Sequence, residues 1–168
     1  VAAAAGGAAE VWNVDFAGSA LAVGQRNAEL NDLRPNVFSV HKADVLPTLR
    51  QLAGLPIKGR GARRAYKRFA QRQFDITVLD PPTFARSPFG AVDIVRDYPS
   101  LFKPALLATA PGGTVVATNH VSTVDRADWH DILTRCASKA GRPLKGIDVL
   151  TPEADFPSPD GRPPLKLS

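Results

Sequence analysis

Residues 74–84 read FDITVLDPPTF, and this stretch decides the fold class. Its first six residues are mostly β-branched, aromatic or aliphatic, which is typical of a buried strand. Asp80 follows these residues directly. Pro81 and Pro82 then form a stiff turn, because each proline lacks a backbone donor and has a fixed φ. The sequence therefore predicts a strand that ends on a carboxylate.

Strand-like and helix-like stretches alternate on both sides of this segment. Glycines at 6–7 close a first helix, and apolar periodicity then predicts strands near residues 11–15, 36–41, 114–118 and 145–150. The same criterion predicts helices over 17–34, 46–53 and 92–110, with a last helix capped by Ser122 or Thr123. Strands that alternate with long helices indicate βαβ units, and hence an α/β fold with a mainly parallel sheet.

Polar side chains follow four of the predicted strands, namely Asp15, Asp44, Asp80 and the pair Asn119-His120. Ligands of parallel sheets bind at the carboxyl ends of the strands, so these residues mark a candidate site. Asp15 suits the two hydroxyls of a ribose or, alternatively, the cap of a helix. Asp44 suits an exocyclic amine or the start of a helix. Together the two carboxylates suggest an adenosine site.

The turn after Asp80 has its own chemistry. Its carboxylate and the Pro81 carbonyl could accept hydrogen bonds from a planar amine or a base edge, and Phe84 could serve as a stacking platform. The alternative is an ordinary β-turn with a buried phenylalanine.

Composition narrows the class of protein. The chain has 168 residues, 44% hydrophobic and 22% charged, which is typical of one globular domain. No apolar run approaches the ~20 residues of a membrane span, and no signal peptide is recognisable, so the chain is predicted to be soluble and cytoplasmic with no membrane partner. One cysteine, Cys136, and no Cys/His cluster predict neither a disulfide nor a metal site.

The net charge of +5 favours a polyanionic partner. One third of the basic residues fall between positions 58 and 72, where Ala62, Ala65, Tyr66 and Phe69 are spaced like one face of a helix. The basic side chains there could contact RNA phosphates or could simply form a solvated helix face. The candidates for RNA binding are Arg60, Arg63, Arg64, Lys67 and Arg68.

Four segments together resemble the class I S-adenosylmethionine (SAM)-dependent methyltransferases that act on large-subunit ribosomal RNA. These segments are DPPTF at 80–84, VDIVRDY at 92–98, PGGT at 111–114 and TNH at 118–120. The resemblance extends from about Val11 to the C-terminus. It implies a Rossmann-like fold, with helices on both faces of the sheet, and SAM as the cofactor. It also implies one catalytic domain, 1–168, that lacks the first strand with its glycine-rich loop and ends in a truncated last strand.

The resemblance also implies roles for individual residues. Asp15 would bind the cofactor ribose, Phe16 would pack beside the adenine, and Asp44, followed by Val45, would contact the adenine amine. Asp80, Pro81 and Pro82 would lie between cofactor and target base. Phe84, Asn119 and His120 would complete the catalytic group.

Two branches of this family differ at His120. The cytosine-C5 enzymes carry a nucleophilic cysteine at this position, because C6 of the pyrimidine must be attacked before C5 reacts. The guanine-N7 domain shares the asparagine and the DPPTF run, and guanine N7 needs only orientation toward the methyl group. Cys136 belongs to the apolar stripe of a predicted helix. His120 is then either a base-positioning donor or a histidine bonded to backbone.

The sequence therefore predicts methyl transfer from SAM to a base in structured RNA, most simply a purine ring nitrogen of ribosomal RNA. Two alternatives stay open. One is a methyltransferase of a small molecule or protein, and the other is a noncatalytic RNA-binding module that keeps the fold. The sequence does not indicate an oligomeric state.

Overall fold

The computed structural model describes residues 1–57, 62–87, 90–150 and 166–168. They divide into two compact units, which are Val1–Thr48 with Ala65–Lys67, and Leu49–Arg64 with Arg68–Ser168. The helices and strands are α1 (Ala2–Ala5), β1 (Val11–Asp15), α2 (Gly18–Leu30), β2 (Phe38–Lys42), α3 (Val45–Leu52), β3 (Phe74–Leu79), β4 (Phe84–Ser87), β5 (Gly90–Asp93), α4 (Ile94–Leu107), β6 (Thr109–Asn119), α5 (Arg126–Lys139) and β7 (Lys166–Leu167).

The first unit is a parallel strand pair covered by a helix. Strands β1 and β2 pair in parallel, with Val11 opposite Phe38 and Asp15 opposite Lys42. Helix α2 buries Leu21 and Ala28. A Cβ at Gly24 would lie 2.8 Å from Asn13 Nδ2, so the glycine lets the helix approach the strand closely. The helix ends at Leu30, one turn earlier than predicted, because Asp32 adopts a left-handed φ of 52°.

The second unit is built around a second parallel pair. Strands β3 and β6 pair in parallel, and β7 adds to β6 in the antiparallel sense. The register shifts between Phe74 and Ile76, and the strand predicted near 114–118 begins already at Thr109, with residues 111–113 forming a bulge inside it. A Cβ at Gly113 would stand 2.5 Å from the Asp75 carbonyl, which only glycine can avoid.

Two helices supply the core of the second unit. The buried side chains of α4 are Tyr98, Leu101, Phe102, Ala105 and Leu106, and those of α5 are Trp129, Leu133, Cys136 and Ala137. The Tyr98 and Trp129 rings meet edge to face, with their centroids 5.6 Å apart. The helical spacing of the apolar residues predicted the burial of Tyr98, Phe102, Trp129 and Leu133, but Val95, which was expected on the same face of α4, is 48% exposed.

Four local predictions were wrong. Residues 65–73 form neither helix nor strand, so the described part of the basic stretch is no amphipathic helix. Residues 92–93 belong to the β4–β5 hairpin, and α4 begins only at Ile94, capped by Asp93. Helix α5 is capped by Asp125, not by Ser122 or Thr123, since the Asp125 carboxylate accepts from Ala127 N at 2.7 Å. Residues 145–149 form no strand.

Candidate functional site

Asp15 ends β1 and makes the turn into α2. Its Oδ1 accepts a hydrogen bond from Ala17 N at 2.7 Å. The Asp15 carbonyl accepts from Ala43 N at 2.9 Å, which holds the ends of β1 and β2 together. One carboxylate oxygen thus has a structural role in the turn before α2, but Ala17 and not Asp15 is the N-cap of that helix, so the capping alternative is wrong for Asp15. The other has no hydrogen-bond partner among the residues that the structure describes, and Phe16 beside it is 56% exposed.

Asp44 lies two residues after β2 and begins α3. Its Oδ1 accepts from Leu46 N at 2.9 Å, which is the helix-start alternative. Its Oδ2 is buried and has no hydrogen-bond partner within the described residues. A buried carboxylate oxygen without a donor is costly, so this atom can accept a hydrogen bond from a ligand or a water molecule. Val45 next to it is partly exposed.

Asp80 is the centre of a cluster at the carboxyl ends of β3 and β6. Its Oδ1 accepts hydrogen bonds from Thr118 Oγ1 and, at 2.8 Å, from His120 Nε2. The His120 and Asp80 side chains are 40% and 59% exposed, so the pair faces solvent. His120 therefore pairs with a side chain of the neighbouring strand, rather than with backbone.

The surroundings of Asp80 favour its ionised form. Burial acts to raise the pKa of this carboxyl, but the hydrogen bonds from Thr118 and His120, together with the charge of a protonated His120, outweigh it. The pKa of Asp80 therefore lies below its ordinary value. At neutral pH Asp80 is a carboxylate that can only accept hydrogen bonds.

Tyr98 supports this cluster from the core. Its hydroxyl donates to the Thr118 carbonyl at 2.9 Å, and the residue is 1% exposed. Burial, followed by the nearby Asp80 charge, raises the pKa of Tyr98 far above its ordinary value. Helix α4 is thus tied to β6 at the residue whose side chain holds Asp80.

Asn119 is buried beside this cluster, with 1% of its surface exposed. Its Oδ1 accepts from Val121 N at 2.9 Å, which fixes the orientation of the amide. Its Nδ2 is buried and has no hydrogen-bond partner in the described part of the chain. An unused amide donor therefore lies at the end of β6.

The turn after Asp80 leaves Phe84 exposed, and its role as a stacking platform stays a prediction. Pro81 is buried and Pro82 is exposed, and Phe84 is 51% exposed at the start of β4. The alternative of a turn with a buried phenylalanine is therefore wrong.

The basic residues are exposed where the structure describes them. Arg63, Arg64, Lys67 and Arg68 all lie at the surface, and Arg60 lies outside the described residues. Lys67 Nζ approaches His41 Nδ1 at 3.2 Å. Their exposure permits contact with phosphates, although the helix that was expected to carry them is absent.

Cys136 is buried in α5, as predicted. Burial raises the pKa of its thiol, against the smaller effects of Lys103 and Lys139, so it is a poor nucleophile. Within the described ranges, no group of His, Cys, Asp and Glu side chains could hold a metal ion. A search of the same residues finds no helix long and apolar enough to cross a membrane.

Thr118 and Tyr98 were not among the predicted site residues. Tyr98 was expected only to pack in the core, and its hydroxyl contact is with a residue 20 positions away. Thr118 is 38 positions from Asp80. The TNH motif at 118–120 could have indicated the role of Thr118. Alternate residues of a strand face the same side, so Thr118 lies on the same side as the predicted site residue His120.

Several curated proteins are similar to the chain, although no protein-family model matches it. Ribosomal RNA large subunit methyltransferase I of Aeromonas hydrophila is 31% identical over 152 residues, covering 90% of this chain and 34% of the relative. A ribosomal RNA large subunit methyltransferase of Deinococcus radiodurans is 33% identical over 143 residues, which cover 83% of this chain and 31% of the relative. The chain therefore spans about a third of the length of these relatives.

Solved structures agree on the fold. A methyltransferase crystallised with S-adenosylhomocysteine (SAH) superposes with a TM-score of 0.71 at 22% identity, covering 99% of this chain and 40% of the other. A SAM-dependent methyltransferase from Agrobacterium tumefaciens superposes with a TM-score of 0.63 at 21% identity, and the match covers 80% of this chain and 39% of the other. The chain has the Rossmann-like α/β fold of SAM-dependent methyltransferases, as predicted.

Proposed function

We propose that this chain is the catalytic domain of an enzyme that transfers a methyl group from SAM to a base in ribosomal RNA. The observation that carries the proposal is the Asp80 cluster, in which Thr118 and His120 fix a carboxylate at the carboxyl ends of two parallel strands. The fold and the names of the relatives support the same activity. A scaffold without catalysis has no need of an ordered, solvent-facing carboxylate there.

The residues of the first unit fit the adenosine part of SAM. The buried Oδ2 of Asp44 lacks a donor, and the adenine amine would supply one. The second oxygen of Asp15 is available to ribose hydroxyls, and Phe16 and Val45 offer apolar surface to the adenine ring. When bound, SAM supplies an electrophilic methyl group on a sulfonium.

The residues of the second unit are proposed to position the target base. Asp80 and the Pro81 carbonyl accept from its polar edge, and Phe84 stacks on its face. Asn119 offers its unused amide donor, and His120 is held against Asp80. The role of these residues is orientation, which alone accounts for large rate effects in methyl transfer to a ring nitrogen.

A purine ring nitrogen such as guanine N7 is the proposed acceptor. Methylation at cytosine C5 requires a thiolate that attacks C6, and the one cysteine of the chain is buried in α5 with a raised pKa. At the position where the cytosine-C5 enzymes carry their nucleophilic cysteine, this chain has His120, which hydrogen-bonds Asp80. A ring nitrogen with its own lone pair needs no covalent step.

The exposed residues Arg63, Arg64, Lys67 and Arg68, with Arg60, are proposed to bind RNA phosphates. Methylation should therefore weaken steeply as the salt concentration rises. An acceptor that is a small molecule would show little dependence on salt, which separates the two substrate classes.

The decisive experiment is a calorimetric titration of SAH into the chain and into its natural full-length protein, followed by transfer of labelled methyl groups to large-subunit ribosomal RNA. We expect SAH binding and methyl transfer by the full-length protein, with N7-methylguanine after digestion of the RNA. The absence of SAH binding in both proteins would contradict the proposal and favour a noncatalytic RNA-binding module. Methylation at another atom would contradict the choice of guanine N7 alone.

A further inference from the structure

We propose that His120 selects the target base by presenting its bare Nδ1 as a hydrogen-bond acceptor to an exocyclic amine. Asp80 and Thr118 are positioning residues that hold the imidazole in the required tautomer. The inference rests on the proposed function in one respect, namely that the ligand is an RNA base. It reverses the sequence-based expectation that His120 acts as a donor.

The hydrogen bonds of Asp80 determine which ring nitrogen carries the proton. Asp80 Oδ1 accepts hydrogen bonds from Thr118 Oγ1 and His120 Nε2, since a carboxylate has no hydrogen to donate. Nε2 must therefore be the N–H donor of this contact. The inference concerns the neutral form of His120, in which Nε2 carries the one N–H and Nδ1 keeps its lone pair; in the protonated form both nitrogens would be donors.

Nδ1 is available to a ligand. His120 is 40% exposed on its side chain, and its only hydrogen bond within the described residues is the one to Asp80. The second oxygen of Asp80 is likewise without a donor there. The neutral His120–Asp80 pair thus offers solvent two acceptors and no donor.

Each of these two acceptors can take one N–H bond of an exocyclic amine. Among RNA bases, guanine, adenine and cytosine carry an exocyclic amine, whereas uracil has a carbonyl oxygen at the corresponding position. A carbonyl placed against Nδ1 or Asp80 would be repelled and left unsatisfied. The pair therefore favours a base with an amine and rejects its amine-free analogue.

The acceptor pair is also held rigidly enough to discriminate. Thr118 fixes the shared oxygen of Asp80, and Tyr98 fixes the Thr118 carbonyl at 2.9 Å from the buried core. A preorganised acceptor loses little conformational entropy on binding.

Nitrogen NMR of the imidazoles tests the inference directly. The full chain, labelled with nitrogen-15 histidine, is measured at mildly alkaline pH, at which a free imidazole is neutral. The His120 signals are assigned with His120→Gln. Millimolar GMP, AMP or CMP is then compared with IMP and UMP, which lack the amine. We expect a bare Nδ1, and at least one amine-bearing nucleotide that moves its resonance more than IMP or UMP does.

A pair of variants gives a second readout. In His120→Gln the side-chain amide can still donate to Asp80, but the acceptor at Nδ1 is gone. We expect the nucleotide that responds most strongly to bind about twofold to tenfold more weakly, the range for one hydrogen bond. His130→Gln is the matched control, because the His130 ring lies on α5 and hydrogen-bonds Ser168 Oγ, and it should bind the nucleotide normally.

The outcomes separate this inference from the proposed function. A proton on Nδ1, equal shifts with amine-bearing and amine-free nucleotides, or no shift with any of them would overturn the role of His120. SAH titration of the same sample tests the methyltransferase assignment independently. Binding of SAH with no nucleotide response would refute the inference alone, and a selective nucleotide response would refute the proposed function alone if SAH binds neither this chain nor the longer protein of the titration described above.

Discussion

The carboxylates of the two units are held in different ways. Asp15 and Asp44 each accept from a backbone N–H two residues further along the chain. Asp80 instead accepts from side chains 38 and 40 residues away, on the neighbouring strand. Local contacts of the first kind form wherever an aspartate precedes a helix, whereas the second kind exists only after β3 and β6 have paired. The first unit therefore keeps its carboxylates through local turns, and the second keeps its carboxylate through the sheet.

The largest expected effect concerns the carboxylate held through the sheet. Asp80→Ala should lower methyl transfer by about a hundredfold, since the base loses the group that orients it. The measurement is the rate of methyl incorporation into large-subunit ribosomal RNA at saturating SAM. Asp75→Ala, at an exposed position of the same strand, is the control. An unchanged rate in the Asp80 variant would refute the site assignment.

The next effect concerns a carboxylate held by a local turn. Asp44→Asn can keep the cap on Leu46 N through its oxygen, but it places an NH₂ group where Oδ2 lacks a donor. We expect SAH to bind roughly tenfold more weakly, as for the loss of one buried hydrogen bond to a charged group. Calorimetry measures this, and thermal unfolding checks that the fold persists. An unaltered SAH affinity would remove Asp44 from the adenine site.

A smaller effect should follow from Tyr98→Phe. Removal of the hydroxyl leaves the Thr118 carbonyl without its donor and should lower the free energy of unfolding by about 1 kcal/mol. Urea denaturation provides the value. Phe102 lies in the same core and provides the control, because Phe102→Leu removes buried apolar volume but leaves the Tyr98 hydroxyl in place. The stability lost in Phe102→Leu, relative to wild type, should be the same at neutral and at alkaline pH.

The alkaline behaviour of Tyr98 follows from its raised pKa. Because the folded state favours the neutral phenol, its contribution to stability is complete below the ordinary pKa of about 10 and is lost as the pH rises above it. Wild-type protein should therefore lose stability above about pH 10 more steeply than Tyr98→Phe. Parallel pH profiles for the two proteins would contradict the assignment.

The smallest effect should come from Thr118→Val. It removes one donor to Asp80 and should bring the pKa of that carboxyl nearer its ordinary value. Since the folded pKa is lowered, the stabilisation by Asp80 is present above the ordinary value of about 3.9 and is lost as the pH falls through the folded pKa. The variant should lose less stability on acidification than wild type, by a small amount because Asp80 is 59% exposed. Thr118→Ser, which keeps the hydroxyl, should restore the wild-type acid profile.

The comparison of the two units also explains what the sequence could predict. Strand β1, helix α3 and strand β3 were predicted to within about one residue, because their apolar periodicity is local. The start of α3 at Asp44 was predicted, because an aspartate directly before a helix is a local signal, whereas the contact of Asp15 with Ala17 N is a turn and not a helix cap. The fold class followed from the alternation of strands and helices.

Features that depend on distant partners were not predictable in the same way. The β4–β5 hairpin takes up residues 92–93, whose apolar pattern alone resembles the first turn of a helix. The basic stretch has helical spacing, but its residues 65–73 form no helix, since spacing cannot supply a partner for the apolar face. The pairing of Asp80 with Thr118 depends on the register of β3 against β6, in which Leu79 lies opposite Ala117.

The burial of the one cysteine has a practical consequence. Cys136 lies in α5 with its Sγ 3.9 Å from the Pro99 carbonyl of α4, so a thiol reagent reaches it only when these helices separate. The rate of labelling by a maleimide therefore reports how often this part of the core opens, without any engineered probe. Labelling slowed by a nucleotide or by SAH would reveal a ligand that stabilises the closed core, even where no enzymatic turnover is measured.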